Sequence, residues 1–122
     1  QNAHVRCAGI FRRWAEAGGA PDADAGADLS PLTHESELAF MRKALELPEV
    51  IELMVLNAEP HHIAFYAYEL AAAFHPAYEN CRVLNDDVPE PLRHARLRFY
   101  RAAKQLFAHV LDLMGMSAPE VM

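Results

Sequence analysis

Residues 59–84 read EPHHIAFYAYELAAAFHPAYENCRVL, and the spacing of their apolar positions decides the fold. Ile63, Ala67, Leu70, Phe74 and Ala77 recur every three or four residues, which places them on one stripe of an α-helix. Pro60 suits the first turn of that helix, where its missing N–H would have no partner anyway. The small side chains of Ala71, Ala72 and Ala73 let a neighbouring helix come close. Pro76 removes a backbone donor and crowds the preceding turn, so a kink near residues 72–76 or a break into two helices is expected. Phe65, Tyr66, Tyr68 and Phe74 are expected in the core. Tyr78 stands beside Glu79 and Asn80, where a core residue is less expected, yet the residues alone still read it as core.

Working outward, the same periodicity appears on both sides. Ala3, Cys7, Ile10, Trp14 and Ala17 draw one helical stripe, and Asn2, Arg6 and Arg13 share another face. Gly18 and Gly19 end this helix. The segment from Gly18 to Pro31 is rich in Asp, Ala and Gly, offers little to bury and is expected to be a mobile loop. Thr33 is positioned to cap a second helix, with Glu35 and Glu37 in its positive first turn and Leu38, Met41 and Leu45 at helical spacing. Pro48 opens a third, with Val50, Ile51, Met54, Val55 and Ala58 as its buried stripe. After a polar turn at 85–91, Leu92, Phe99, Leu106 and Leu113 repeat every seven residues through a last helix, with Ala103 and Val110 between them, and Gly115 stops it. Short connections and no strand signal predict an all-α chain, an antiparallel bundle of about five helices.

Composition agrees. The chain has 122 residues, 52% of them hydrophobic, with only five glycines. That suffices for one domain with its own core. Cys7 and Cys81 lie far apart and neither has a partner at metal-binding spacing, so both read as reduced thiols. No apolar run approaches the roughly 20 residues that cross a bilayer, and the chain does not open on a charged-then-apolar leader, which points to the cytoplasm. The opening Gln1-Asn2-Ala3-His4 already lies in helical register without a cap, as in a piece of something longer.

The net charge of −6 argues at first against a nucleic-acid partner. Its distribution reverses that reading. Nine acidic residues fall between Pro21 and Glu59 against Arg42 and Lys43 alone, whereas 91–110 carries Arg93, Arg96, Arg98, Arg101 and Lys104 and no acid. Arg6, Arg12 and Arg13 add to the positive side. The cations of 93–104 wrap around more than one helix face, which leaves a solvated surface and a phosphate track both open.

Three stretches carry a family resemblance. Residues 59–84 resemble the helix of arginyl-tRNA synthetases with a Glu-Pro-His start, a Tyr-x-Tyr-Glu-Leu core and a Tyr-x-x-Cys-Arg-Val run. Residues 96–122, RLRFYRAAKQLFAHVLDLMGMSAPEVM, resemble their last helix and its Ala-Pro-Glu-x-Met tail. Residues 1–6, QNAHVR, are similar to their Gln-Tyr-Ala-His-x-Arg. The resemblance covers nearly the whole chain except 18–31 and implies the C-terminal, DALR-type anticodon-binding domain, spanning 1–122. It implies recognition of the tRNA(Arg) anticodon loop by Asn2, Arg6, Tyr78, Arg82 and Met122. The partners it implies are tRNA, not DNA or membrane, and an upstream catalytic domain of the same chain. Two departures stand out. The family carries tyrosine where this chain has Asn2, so that stacking contact is absent or supplied elsewhere, and proline is not expected at 76.

The same resemblance implies an ATP- and magnesium-dependent parent enzyme, arginine-tRNA ligase, whose HIGH-type and KMSKS-type motifs are not in this sequence. The fragment itself is expected to hold no catalytic residue, cofactor or metal. Glu59-x-x-His62 matches half of a carboxylate-bridged di-metal signature and lacks the other half. No Ser/His/Asp spacing or phosphate-binding glycine loop is present. The alternatives are a related synthetase domain, such as the cysteinyl one, and a helical protein-interaction module whose acidic lobe meets a basic partner.

Overall fold

A computed structural model of the chain describes residues 2–57 and 61–115. Among them are five helices and no strand: α1 (Asn2–Glu16), α2 (Glu35–Ala44), α3 (Leu47–Asn57), α4 (His61–Asn80) and α5 (Glu90–Leu113). Helix α4 is the hub. Phe40 of α2 meets its Phe74 at 5.8 Å between ring centroids, while the Tyr66 hydroxyl donates to the Lys43 carbonyl at 2.8 Å. The chains of α2 and α4 therefore run in opposite directions. Helix α5 is also antiparallel to α4, since Phe107 packs on Phe74 at 5.3 Å and Tyr100 reaches the Ala77 carbonyl at 2.9 Å. Helix α1 lies alongside with the same sense as α4, its Arg6 beside His75 and its Arg13 beside Arg82.

The core is an edge-to-face cluster of Phe40, Phe74, Phe99, Tyr100 and Phe107, closed by Leu70, Leu97 and Val110. Each buried ring contributes roughly 3 kcal/mol by leaving water, and the edge-to-face geometry adds to that. Ala77 of α4 and Ala95 and Ala103 of α5 are buried with them. Both Gly18 (φ +84°) and Gly115 (φ +75°) adopt the left-handed conformation that ends a helix.

Several expectations change. Of the kink or break expected at Pro76, the break does not occur: helix α4 is continuous, and Pro76 lies within it on the exposed side. The carbonyl of Ala72, which loses its usual donor, is also on an exposed residue, where water can serve. Phe65 and Tyr68 are not core residues but 65% and 78% exposed. They share the outward face of α4 with His61, whereas Tyr66, Leu70 and Phe74 follow the inward stripe. The cap of α2 is His34, not Thr33: its Nδ1 accepts from the Ser36 amide at 3.0 Å, and Glu37 accepts in return from the His34 amide at 3.1 Å. Helix α3 starts at Leu47, one residue before Pro48, and turns Leu47, Val50, Ile51 and Met54 inward. Val55 is 75% exposed, and Ala58 lies outside the described residues.

The acidic loop after α1 is anchored. Asp24 is buried and takes two hydrogen bonds from Arg101, at 2.6 and 3.0 Å. Arg98 donates to the Ala27 carbonyl at 2.6 Å, and Leu32 enters the core. Arg101 in turn lies over the Phe11 ring, 4.3 Å from its centroid, so the loop, α5 and α1 are fastened at one point.

Candidate nucleic-acid interface

The last two turns of α4 bring Phe74, His75 and Tyr78 into one patch by their three- and four-residue spacing. Tyr78 is half-buried, its ring stacked on Phe74 at 5.7 Å with an interplanar angle of 29°. Two guanidinium groups then approach that ring. Arg6 of α1 is 5.2 Å from the ring centroid, and Arg82, just beyond the end of α4, is 5.8 Å away. Arg6 is held by His75, whose Nδ1 lies 3.1 Å from Nη1. A guanidinium only donates, so His75 Nδ1 is the acceptor in this bond. Arg82 is exposed.

Beside this cluster a cleft of about 90 Å³ opens between α1 and the segment that follows α4. Ile10 and Arg13 line one side, and Tyr78, Arg82 and Asn85 the other. An aromatic ring flanked by planar cations, with amide and guanidinium donors at its margin, is the equipment that stacks an unpaired base and reads its edge.

Of the residues expected from sequence, Arg6, Tyr78 and Arg82 come together. Asn2 stands one turn before Arg6 on the same face of α1 and is exposed. Met122 lies outside the described residues, as does Glu59 of the half-signature for metal. Sequence reasoning had not singled out His75 or Asn85, and it had placed Arg13 on the Asn2 and Arg6 face of α1 without naming it for the site. His75 had a local signal, its position three residues before Tyr78, whereas Arg13 and Asn85 meet only through the packing of α1 on the end of α4.

Four arginines of the basic run of α5 are engaged by the protein itself. Arg93 donates to the carbonyls of Val83 and Asn85 at 2.9 and 2.8 Å. Arg96 pairs with the fully buried Glu37 at 2.8 Å. Arg98 and Arg101 hold the acidic loop. Burial makes Asp24 harder to ionise, yet the hydrogen bonds and charge of Arg101 outweigh it and hold the carboxyl below its ordinary range. Burial pushes the Cys7 thiol up to about 12 and, with the nearby Glu37, the Cys81 thiol up to about 11. Among the described residues no group of three or more His, Cys, Asp or Glu could hold a metal ion, and no helix is long and apolar enough to cross a membrane.

Comparison with known proteins points the same way as this geometry. The chain is 42% identical over 126 residues to an arginine–tRNA ligase of Heliobacterium modesticaldum, covering 100% of the chain and 22% of that protein. It is 43% identical to an arginine–tRNA ligase of Dehalococcoides mccartyi strain CBDB1, covering 100% of the chain and 21% of the relative. The solved Thermus thermophilus arginyl-tRNA synthetase superposes with a TM-score of 0.72 at 30% identity, over 99% of this chain and 21% of that one. The chain thus spans about a fifth of the length of these relatives. A family model described as the DALR anticodon binding domain matches residues 1–122, and with a helical bundle that gathers cations around an accessible tyrosine, the chain belongs to that family.

Proposed function

We propose that this chain is the C-terminal anticodon-recognition part of an arginine–tRNA ligase, acting in the cytoplasm on tRNA(Arg). The observation that carries the reading is the gathering of the Arg6 and Arg82 guanidinium groups around the half-buried ring of Tyr78. In this reading the chain supplies recognition and positioning. Attachment of arginine, with its ATP and magnesium, belongs to a catalytic domain upstream. The relatives reported above are arginine ligases, which favours this assignment over the cysteinyl one.

All arginine codons have G in the middle, so every arginine anticodon has C there and one cytosine slot reads all isoacceptors. Stacking on Tyr78 contributes about 1–3 kcal/mol. Guanidinium donors from Arg6 and Arg82 face acceptors on the base, and an acceptor at the Met122 terminus would take the cytosine amino group. Uracil presents an acceptor at that edge and leaves it unpaired, at a cost of about 1–3 kcal/mol. Asn2, on the Arg6 face of α1, offers a further polar contact to the loop. The test is binding of an arginine anticodon stem-loop against the same RNA with the middle base changed. Weaker binding of the changed RNA is expected, and equal affinity would remove the cytosine slot.

A further inference from the structure

Helix α4 ends at Asn80, and the last carbonyls of a helix have no donor within it. Side chains of α5 meet the carbonyls at this end and just beyond it. The Tyr100 hydroxyl lies 2.9 Å from the Ala77 carbonyl and 3.0 Å from that of Cys81. Arg96 Nη1 donates to the Arg82 carbonyl at 2.8 Å, and Arg93 Nε to that of Val83 at 2.9 Å. Backbone that would otherwise be a pliable exit from α4 is thereby fastened to the longest helix of the bundle.

Arg96 is the singular member of this set. Its side chain is only 11% exposed, so it is poorly placed to meet a phosphate, and its Nε is engaged by a carboxylate with no exposure at all. The second oxygen of Glu37 accepts from the His34 amide at the start of α2. One planar fork thus joins the start of α2, the second turn of α5 and the backbone of Arg82. We infer that Arg96, held by Glu37, is a positioning residue for Arg82: it fixes the backbone from which Arg82 reaches the base and so sets discrimination at the middle anticodon position. The inference rests on the anticodon reading above. A lysine keeps the charge beside Glu37 but not the rigid fork that serves two acceptors in different directions.

The test uses the full chain and two anticodon stem-loops, with C or U at the middle position, and reads the ratio of their affinities. Loss of folded protein scales both affinities equally and leaves the ratio where it was, so a merely structural role does not move it. Arg96→Lys is expected to narrow the ratio about tenfold, the effect of one polar edge left poorly paired, with a cooperative thermal melt retained. Glu37→Gln is expected to narrow it in the same direction, and it carries the test alone should Arg96→Lys fail to fold. An unchanged ratio in these variants, alongside a narrowed ratio in Arg82→Ala, overturns the positioning role. An unchanged ratio in Arg82→Ala overturns it as well, by removing Arg82 from the discrimination, whereas equal affinity of the parent chain for the two stem-loops removes the anticodon reading beneath it.

Discussion

The guanidinium of Arg6 in α1 lies 5.2 Å from the centroid of the Tyr78 ring in α4. That pairing joins two elements far apart in sequence and gives the ring a cationic neighbour while Phe74 supports it from within the bundle. Tyr78→Ala is expected to weaken binding of the arginine anticodon stem-loop by about 1–3 kcal/mol, and Tyr78→Phe to retain most of it. Fluorescence anisotropy at fixed salt measures both. An alanine variant that binds as tightly as the parent would show that no base stacks there.

The commitment of α5's arginines to the protein's own carbonyls and carboxylates has a consequence for salt dependence. Each phosphate neutralised on a single strand contributes about −0.7 to the slope of log affinity against log salt. Arg93→Gln and Arg101→Gln are therefore expected to lower the Tm and leave that slope unchanged. A slope shallower by about 0.7 in either variant would place that arginine on RNA.

Asp24 makes the chain sensitive to acid. Its folded carboxyl holds a proton less readily than the unfolded one does. The stability it adds is therefore complete above the ordinary carboxylate pKa of about 4, and it is lost as pH falls through the lower folded value. Because the Arg101 side chain is 42% exposed, solvent screens the pair, and Asp24→Asn is expected to cost about 1 kcal/mol at pH 7. At a pH well below the folded value the variant and the parent should be equally stable in urea titrations. A constant difference across pH would mean that Asp24 acts through shape alone.

The two thiols report on the opposite end of the pH scale. Raised to about 12 and about 11, Cys7 and Cys81 stay protonated in the fold at pH values where unfolded cysteines ionise. Their contribution is complete below the ordinary thiol value and drains away as pH rises through those folded values. Since the thiolate is the reactive form, a thiol reagent at pH 8 should label neither residue in the native chain and both in denaturant. Rapid native labelling would mean that the bundle opens around them.

Much of the fold was legible because helix spacing is a local property. The stripe Ile63, Leu70, Phe74 and Ala77 named the inward face of α4 before any coordinates. Residue type alone misled at Phe65 and Tyr68, since Tyr66 and Tyr68 are chemically identical yet two positions apart, and so point to opposite sides of the helix. The arginines of α5 were ambiguous for a different reason. Their partners, Asp24, Glu37 and the carbonyls of 82–85, lie in other elements, and no local pattern encodes a hydrogen bond of that range. Arg6, Tyr78 and Arg82 were named from motif resemblance, and their convergence depends on α1 lying beside α4 in the same sense.

Synthesis proceeds from the amino end, so α5 is the last described helix to leave the ribosome. Until it docks, the carbonyls of Arg82, Val83 and Asn85 have none of the donors that Arg93 and Arg96 bring, and Glu37 lacks the Arg96 guanidinium. A nascent chain stopped before residue 90 therefore already contains Arg6, Tyr78 and Arg82 but not the donors that fasten the backbone of 82–85, so the setting of Arg82 is completed only as α5 is made.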